Sequence, residues 1–102
     1  MIVNLKEETI KILSENGKTW DDVEWVGTEY GKIDKSEFLN IIDKEYDNSF
    51  CANIGGLINP YIMVVGKDFW LERKNDEITE CWEFKTFPMN PIFISDLKVF
   101  MC

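Results

Sequence analysis

In the first half of the chain the apolar residues recur at helical spacing. Leu5, Thr9, Ile12 and Leu13 share one stripe, which Ile10 widens. Asn4 followed by Glu7 forms a capping box ahead of the stripe, and Gly17 supplies a left-handed stop. These signals predict a helix from Leu5 to Asn16. Thr19 to Asp22 then reads as a polar turn, Val23 to Val26 as a short strand, and Gly27 to Gly31 as a loop. Asp34 with Glu37 marks a second helix start. Phe38, Ile41 and Ile42 form its buried stripe, flanked by Leu39 and Tyr46, so the prediction is a helix from Lys35 to Glu45.

The second half changes period. After Asp47-Asn48-Ser49, Gly55-Gly56 and Asn59-Pro60, a turn-rich stretch, Tyr61 to Val65 is a continuous apolar run. Such a run predicts a central strand covered on both faces. Gly66-Lys67-Asp68 turns the chain into a strand from Phe69 to Lys74, and Asn75-Asp76-Glu77 into another from Ile78 to Phe87. Pro88 and Pro91 end the pairing, and Ile92 to Ile94 and Leu97 to Met101 are predicted as short edge strands. The expected fold is α+β: two N-terminal helices packed on one face of a mostly antiparallel sheet of three to five strands, in one domain over residues 1–102.

The hairpin allows an inference that holds for any ordinary turn at Asn75 to Glu77. Odd residues of its first strand stand beside even residues of its second. One face then carries Phe69, Leu71 and Arg73 with Glu80, Trp82 and Phe84, and should meet the helices. The other carries Trp70, Glu72 and Lys74 with Cys81, Glu83 and Lys85. Trp70 on that charged face has two readings. It is either an anchor for a partner, contributing about 2 to 4 kcal/mol, or it lies beneath the C-terminal segment around Phe93 and Phe100.

Composition narrows the function. The 102 residues carry 11 Lys plus Arg against 19 Asp plus Glu, a formal net charge of -8. That balance argues against direct nucleic-acid or anionic-membrane binding, which both need cations, and favours a protein partner with a basic surface. With 45% hydrophobic residues the chain is too apolar for a disordered tail. No apolar run reaches the roughly 20 residues that span a bilayer. Histidine is absent, which excludes Ser-His-Asp and Cys-His catalysis and histidine metal sites. Cys51, Cys81 and Cys102 are far apart, odd in number and form no CxxC, so a reduced, cytoplasmic setting is expected. The opening Met1 to Glu8 is acidic where an export leader would be basic and then apolar.

Four constellations bear on chemistry. Glu83-Phe84-Lys85 is an ExK on a strand, the pattern with which some nucleases hold Mg²⁺ and steady a water. Asp68 or Asp76 would have to complete that site, and Thr86 to Pro91 cannot form the helix that follows such a strand. Asp43, Glu45, Asp47 and Ser49 alternate like the start of a calcium loop, but Asn48 and Ile54 occupy the positions that need Gly and Glu. A helix end running into a turn explains that ladder better. Asp21, Asp22, Glu24 and Glu29 could join Glu72 and Glu83 as paired carboxylates, though a chain this short rarely builds the cleft. Gly55-Gly56 lacks the lysine and helix start of a phosphate loop.

What remains is negative charge interleaved with aromatics: Trp20, Trp25 and Tyr30 among Asp21, Asp22, Glu24 and Glu29, then Tyr46 and Trp70 near other acids. Carboxylates on a rigid sheet can stand in for phosphates, the means by which a protein inhibitor occupies a groove built for nucleic acid. Trp25-Val26-Gly27-Thr28, Glu45 to Asn48, Val64 to Arg73 and Cys81 to Lys85 carry a resemblance. Over residues 20 to 88 the chain resembles small uncharacterised proteins of phages and prophages of low-GC Gram-positive bacteria. The resemblance implies an accessory phage function, with inhibitors of host defence such as anti-CRISPR proteins as one class.

The expectation is therefore a non-enzymatic, acidic binding protein without metal or cofactor. Trp70, Glu72, Glu83, Asp21, Asp22 and Glu24 are its candidate binding residues. Two alternatives stand beside it: a metal-dependent nuclease using the ExK strand, and a homodimer formed through the same sheet face or an exposed edge strand.

Overall fold

A computed structural model describes residues 1–49, 59–75 and 80–87. Strand β1 (Ile2–Asn4) leads into helix α1 (Leu5–Glu15), and a 3-10 turn (Trp20–Asp22) leads into β2 (Val23–Thr28) and β3 (Gly31–Ile33). Helix α2 (Lys35–Ile41), β4 (Glu45–Asp47), β5 (Met63–Gly66), β6 (Phe69–Asn75) and β7 (Glu80–Thr86) follow. Five strands form one sheet in the order β3-β2-β5-β6-β7, and β1 pairs with β4 as a separate ribbon. Every pairing is antiparallel. The fold is α+β, as expected from the change of period along the chain.

The caps act as their residue types require. Asn4 accepts from the Glu7 amide at 3.0 Å and Asp34 from the Glu37 amide at 3.0 Å, each satisfying an orphan first-turn donor. Gly17 ends the first helical segment with φ of 72°, a conformation a Cβ would penalise. Asp22 accepts from the Thr19 amide at 2.7 Å and closes the 3-10 turn.

Both helices cover one face of the sheet, called inner here. Leu5 and Leu13 of α1 and Phe38 of α2 meet Val26, Val64, Phe69, Leu71 and Trp82 in a core where each is almost fully buried. Aromatic stacking ties its ends: Phe69 lies 5.3 Å from Phe84, and Trp20 lies 6.2 Å from Phe38. The hairpin register is Phe69 opposite Thr86, Leu71 opposite Phe84 and Arg73 opposite Trp82, which gives the odd-with-even faces anticipated above.

Several expectations need correction. Helix α2 ends at Ile41 rather than Glu45, because the Lys44 amide donates to the Ile42 carbonyl and the chain then pairs with β1. The Asp43-to-Ser49 ladder is accordingly not a helix end: Glu45–Asp47 within it is β4, and Asn48 and Ser49 form the turn that follows. The predicted loop from Gly27 to Gly31 is the tip of a β2–β3 hairpin, with Thr28 opposite Gly31. Gly27 is required there, since a Cβ would overlap the Gly31 carbonyl oxygen. The central strand starts at Met63, two residues later than predicted, and its outer face is only half-buried among the described residues. The 76–79 part of the hairpin turn, the strands predicted at Ile92 to Ile94 and Leu97 to Met101, and any cover from Phe93 or Phe100 lie outside the described residues.

Candidate functional site: the outer face of the sheet

The face turned away from the helices gathers the candidate residues. Trp25 stands opposite Val65, Val65 opposite Trp70, and Trp70 opposite Lys85, so one row crosses four strands. Because side chains alternate, this row points outward while Val26, Val64, Leu71 and Phe84 point inward. A bulge between Val23 and Trp25 leaves Glu24 exposed at the start of β2. Phe87 follows β7 and tilts over Trp70 at a centroid distance of 5.0 Å, while 59% of Phe87 remains exposed. Trp25, Met63, Val65, Trp70 and Phe87 line a shallow apolar hollow of about 190 Å³. Met63 also borders a groove of about 400 Å³ that includes the exposed rings of Tyr30 and Tyr61.

Trp70, Glu72 and Glu83 come together, with Glu72 directly opposite Glu83. Glu72 is already committed. The Trp70 indole Nε1 donates to its Oε1 at 2.6 Å, and Lys85 Nζ lies 3.2 Å from its Oε2. The Trp70 hydrogen bond, aided by Lys85, holds the Glu72 carboxyl below its ordinary pKa against the opposing effect of burial. Glu72 therefore fixes the indole orientation rather than standing as a bare phosphate surrogate. Lys32 lies over the Trp25 ring at 5.7 Å, so this face mixes both charges.

Asp21, Asp22 and Glu24 are exposed at the end of the sheet where β2 begins. They lie beyond the Trp25 row and not among Trp70, Glu72 and Glu83. Asp22 is spent on its own turn, where it also meets the Thr19 hydroxyl at 3.3 Å. Of these three acids, Asp21 and Glu24 make no side-chain hydrogen bond or ion pair within the described structure and remain available.

The catalytic alternatives find little to build on. Lys85 of the ExK reaches across to Glu72, and the neighbour of Glu83 is a second carboxylate. Among the described residues no three His, Cys, Asp or Glu converge as a metal site. Asp68 pairs with Lys18 at 3.2 Å. In the supposed calcium ladder, Asp47 accepts from the Met1 amine and the Ser49 amide, each at 3.0 Å, and Asp43 accepts from Asn4. Bonds from the Ser49 hydroxyl and amide and from the amine pull the Asp47 pKa down to about 2.

The inner face holds a second cluster that sequence reasoning reached only in part. Arg73 and Glu80 were placed inward by strand parity, but Glu8 of α1 and Tyr46 of β4 complete the group. Arg73 donates to Glu8 at 3.0 Å and to the Tyr46 hydroxyl at 3.0 Å, and it lies 3.7 Å from Glu80. Its guanidinium covers the Trp82 ring at 4.8 Å. The Tyr46 hydroxyl donates to Glu8, and burial followed by that bond pushes its pKa above the ordinary phenol range. Trp82 Nε1 donates to Thr9 Oγ1 at 2.7 Å, and Thr9 donates to the Leu5 carbonyl at 2.7 Å. This network pins the hairpin to α1 and β4, and so holds the outer row in place.

Sequence reasoning missed Trp25, Met63 and Phe87 as partners of Trp70. The signal available was period-two alternation in each strand, but joining the strands needs their register. No helix among the described residues is long and apolar enough to cross a membrane. Comparisons of the chain with protein-family models, with curated proteins and with solved structures found no match.

Proposed function

We propose that this chain is a non-enzymatic, acidic binding protein that engages a protein partner through the outer face of its sheet. The observation that carries the reading is the row formed by Trp25, Val65 and Trp70 with Met63 and Phe87. These are large apolar side chains on the face that no described helix covers. Aromatic and methionine side chains in a shallow hollow with polar surroundings match the core of a protein interface. The free acids Asp21 and Glu24 at the sheet end, within a net charge of -8, supply long-range attraction for a basic surface. The partner suggested by that charge is a nucleic-acid-binding protein, and the resemblance to phage proteins makes a host defence factor in the bacterial cytoplasm the proposed target.

The test immobilises the chain and exposes it to bacterial lysate beside two variants, Trp70→Ala and Asp21→Lys with Glu24→Lys. A basic protein should be held at low salt by the natural chain and released at high salt. Trp70→Ala should lose it, and the charge-reversed variant should hold it less at low salt. Equal retention by all three chains, or retention of no basic protein, defeats the reading. Mg²⁺-dependent cleavage of DNA or RNA abolished by Glu83→Ala would replace it with the nuclease alternative.

A further inference from the structure

We propose that two copies of this chain pair edge to edge through β7, along a twofold axis at Phe84. Strand β7 is an edge of the five-stranded sheet and runs for seven residues. The Glu80 amide donates to the Asn48 carbonyl at 2.8 Å, so it points away from β6. Main-chain direction alternates along a strand, which sends the amides and carbonyls of Trp82, Phe84 and Thr86 the same way. Among the described residues no strand pairs with that side. An edge of this length is a template for another strand unless it is blocked.

The side chains choose the register. Placing the axis at Phe84 pairs Trp82 with Thr86 of the second copy and Phe84 with its own equivalent. Both are pairings between residues whose main-chain groups point outward, and they give about six main-chain hydrogen bonds. The same register sets Glu83 opposite Lys85 of the second copy, twice, at non-bonded positions where Cα atoms approach to about 4.5 Å. A shift by one step in either direction sets Glu83 against Glu83 or Lys85 against Lys85. A larger shift toward the strand start needs the Glu80 edge, which Asn48 occupies. One alignment is therefore attractive and its neighbours repel.

Glu83 is available, since it makes no ion pair within the described structure. Lys85 has three donors and keeps Glu72 at 3.2 Å while meeting a second carboxylate. The axis also puts the two β1–β4 ribbons at opposite ends of the joined strands, because each ribbon lies at the Glu80 end of its own β7. The dimer is independent of the outer-face reading. It would join two outer faces into one continuous surface.

Sedimentation or light scattering under reducing conditions, across a concentration series, provides the test. The natural chain should reach twice its 12.0 kDa mass. Glu83→Lys should weaken association about tenfold or more by setting lysine against lysine across the axis. Adding Lys85→Glu should restore it, because the opposed pair is again of unlike charge and the exchange still leaves one lysine on β7 beside Glu72. Circular dichroism checks that each variant is folded. A monomer into the hundreds of micromolar overturns the proposal. So does a dimer indifferent to Glu83→Lys, or a folded double variant no better than the single one.

Discussion

Replacing Arg73 with Met removes a cation while keeping most of the side-chain volume. Only 4% of the Arg73 side chain is exposed, and the two carboxylates beside it are 20% exposed for Glu8 and 1% for Glu80. Removing one partner from a buried ionic group costs roughly 3–5 kcal/mol, because the remaining charges cannot recover their hydration. Glu8 keeps some solvent contact, so the expected loss is near the lower end, about 3 kcal/mol. That is a large share of the roughly 5–15 kcal/mol that stabilises a domain. Urea unfolding at pH 7, followed by circular dichroism, reads the loss as a lower midpoint at an unchanged slope. Adding Glu8→Gln removes the carboxylate that Arg73 pairs with at 3.0 Å, so the double variant should be more stable than Arg73→Met alone by about 1 kcal/mol or more. A cost below about 1 kcal/mol for Arg73→Met, or strict additivity with Glu8→Gln, would refute the reasoning that the cluster acts as one charge-balanced unit.

Three further outcomes follow from single contacts. Gly27→Ala drives a methyl into the Gly31 carbonyl and should cost about 2 kcal/mol or more in chemical unfolding, with loss at the β2–β3 hairpin. Thr9→Val leaves the buried Trp82 indole N–H without its acceptor and should cost about 1–3 kcal/mol, read in the same experiment. Asp47 has its pKa lowered from 3.8 to about 2, so its contribution is complete above about 3.8 and is lost as pH falls through about 2. The stability gap between the natural chain and Asp47→Asn should therefore be widest near neutrality and close toward pH 2, as followed by thermal melts.

Short-range chemistry in this chain is legible where it involves few residues. Asn4 with Glu7 and Asp34 with Glu37 announce their helices, and parity alone sorts Arg73 and Trp82 from Trp70 and Glu72. The misses are non-local. Ile2–Asn4 and Glu45–Asp47 are three residues each, too short for a period, and their pairing joins segments separated by the whole of α1, β2, β3 and α2. The outer row has the same character. Trp25, Val65 and Trp70 sit on three strands, and only the β2–β5–β6 register brings them side by side. Glu72 looked like a free acid because nothing in one dimension shows that the Trp70 indole and Lys85 both reach it.

The central claim is that the outer face of the sheet, and not the helical side, is where a partner binds. Calorimetric titration of the captured partner should compare the natural chain with Trp70→Ala and with Glu7→Ala on the exposed side of α1. We expect Trp70→Ala to weaken binding by about 2 kcal/mol or more, roughly thirtyfold, and Glu7→Ala to leave it within about threefold. Unchanged affinity for a folded Trp70→Ala, with affinity lost in Glu7→Ala, would place the interface on the helices and contradict the account.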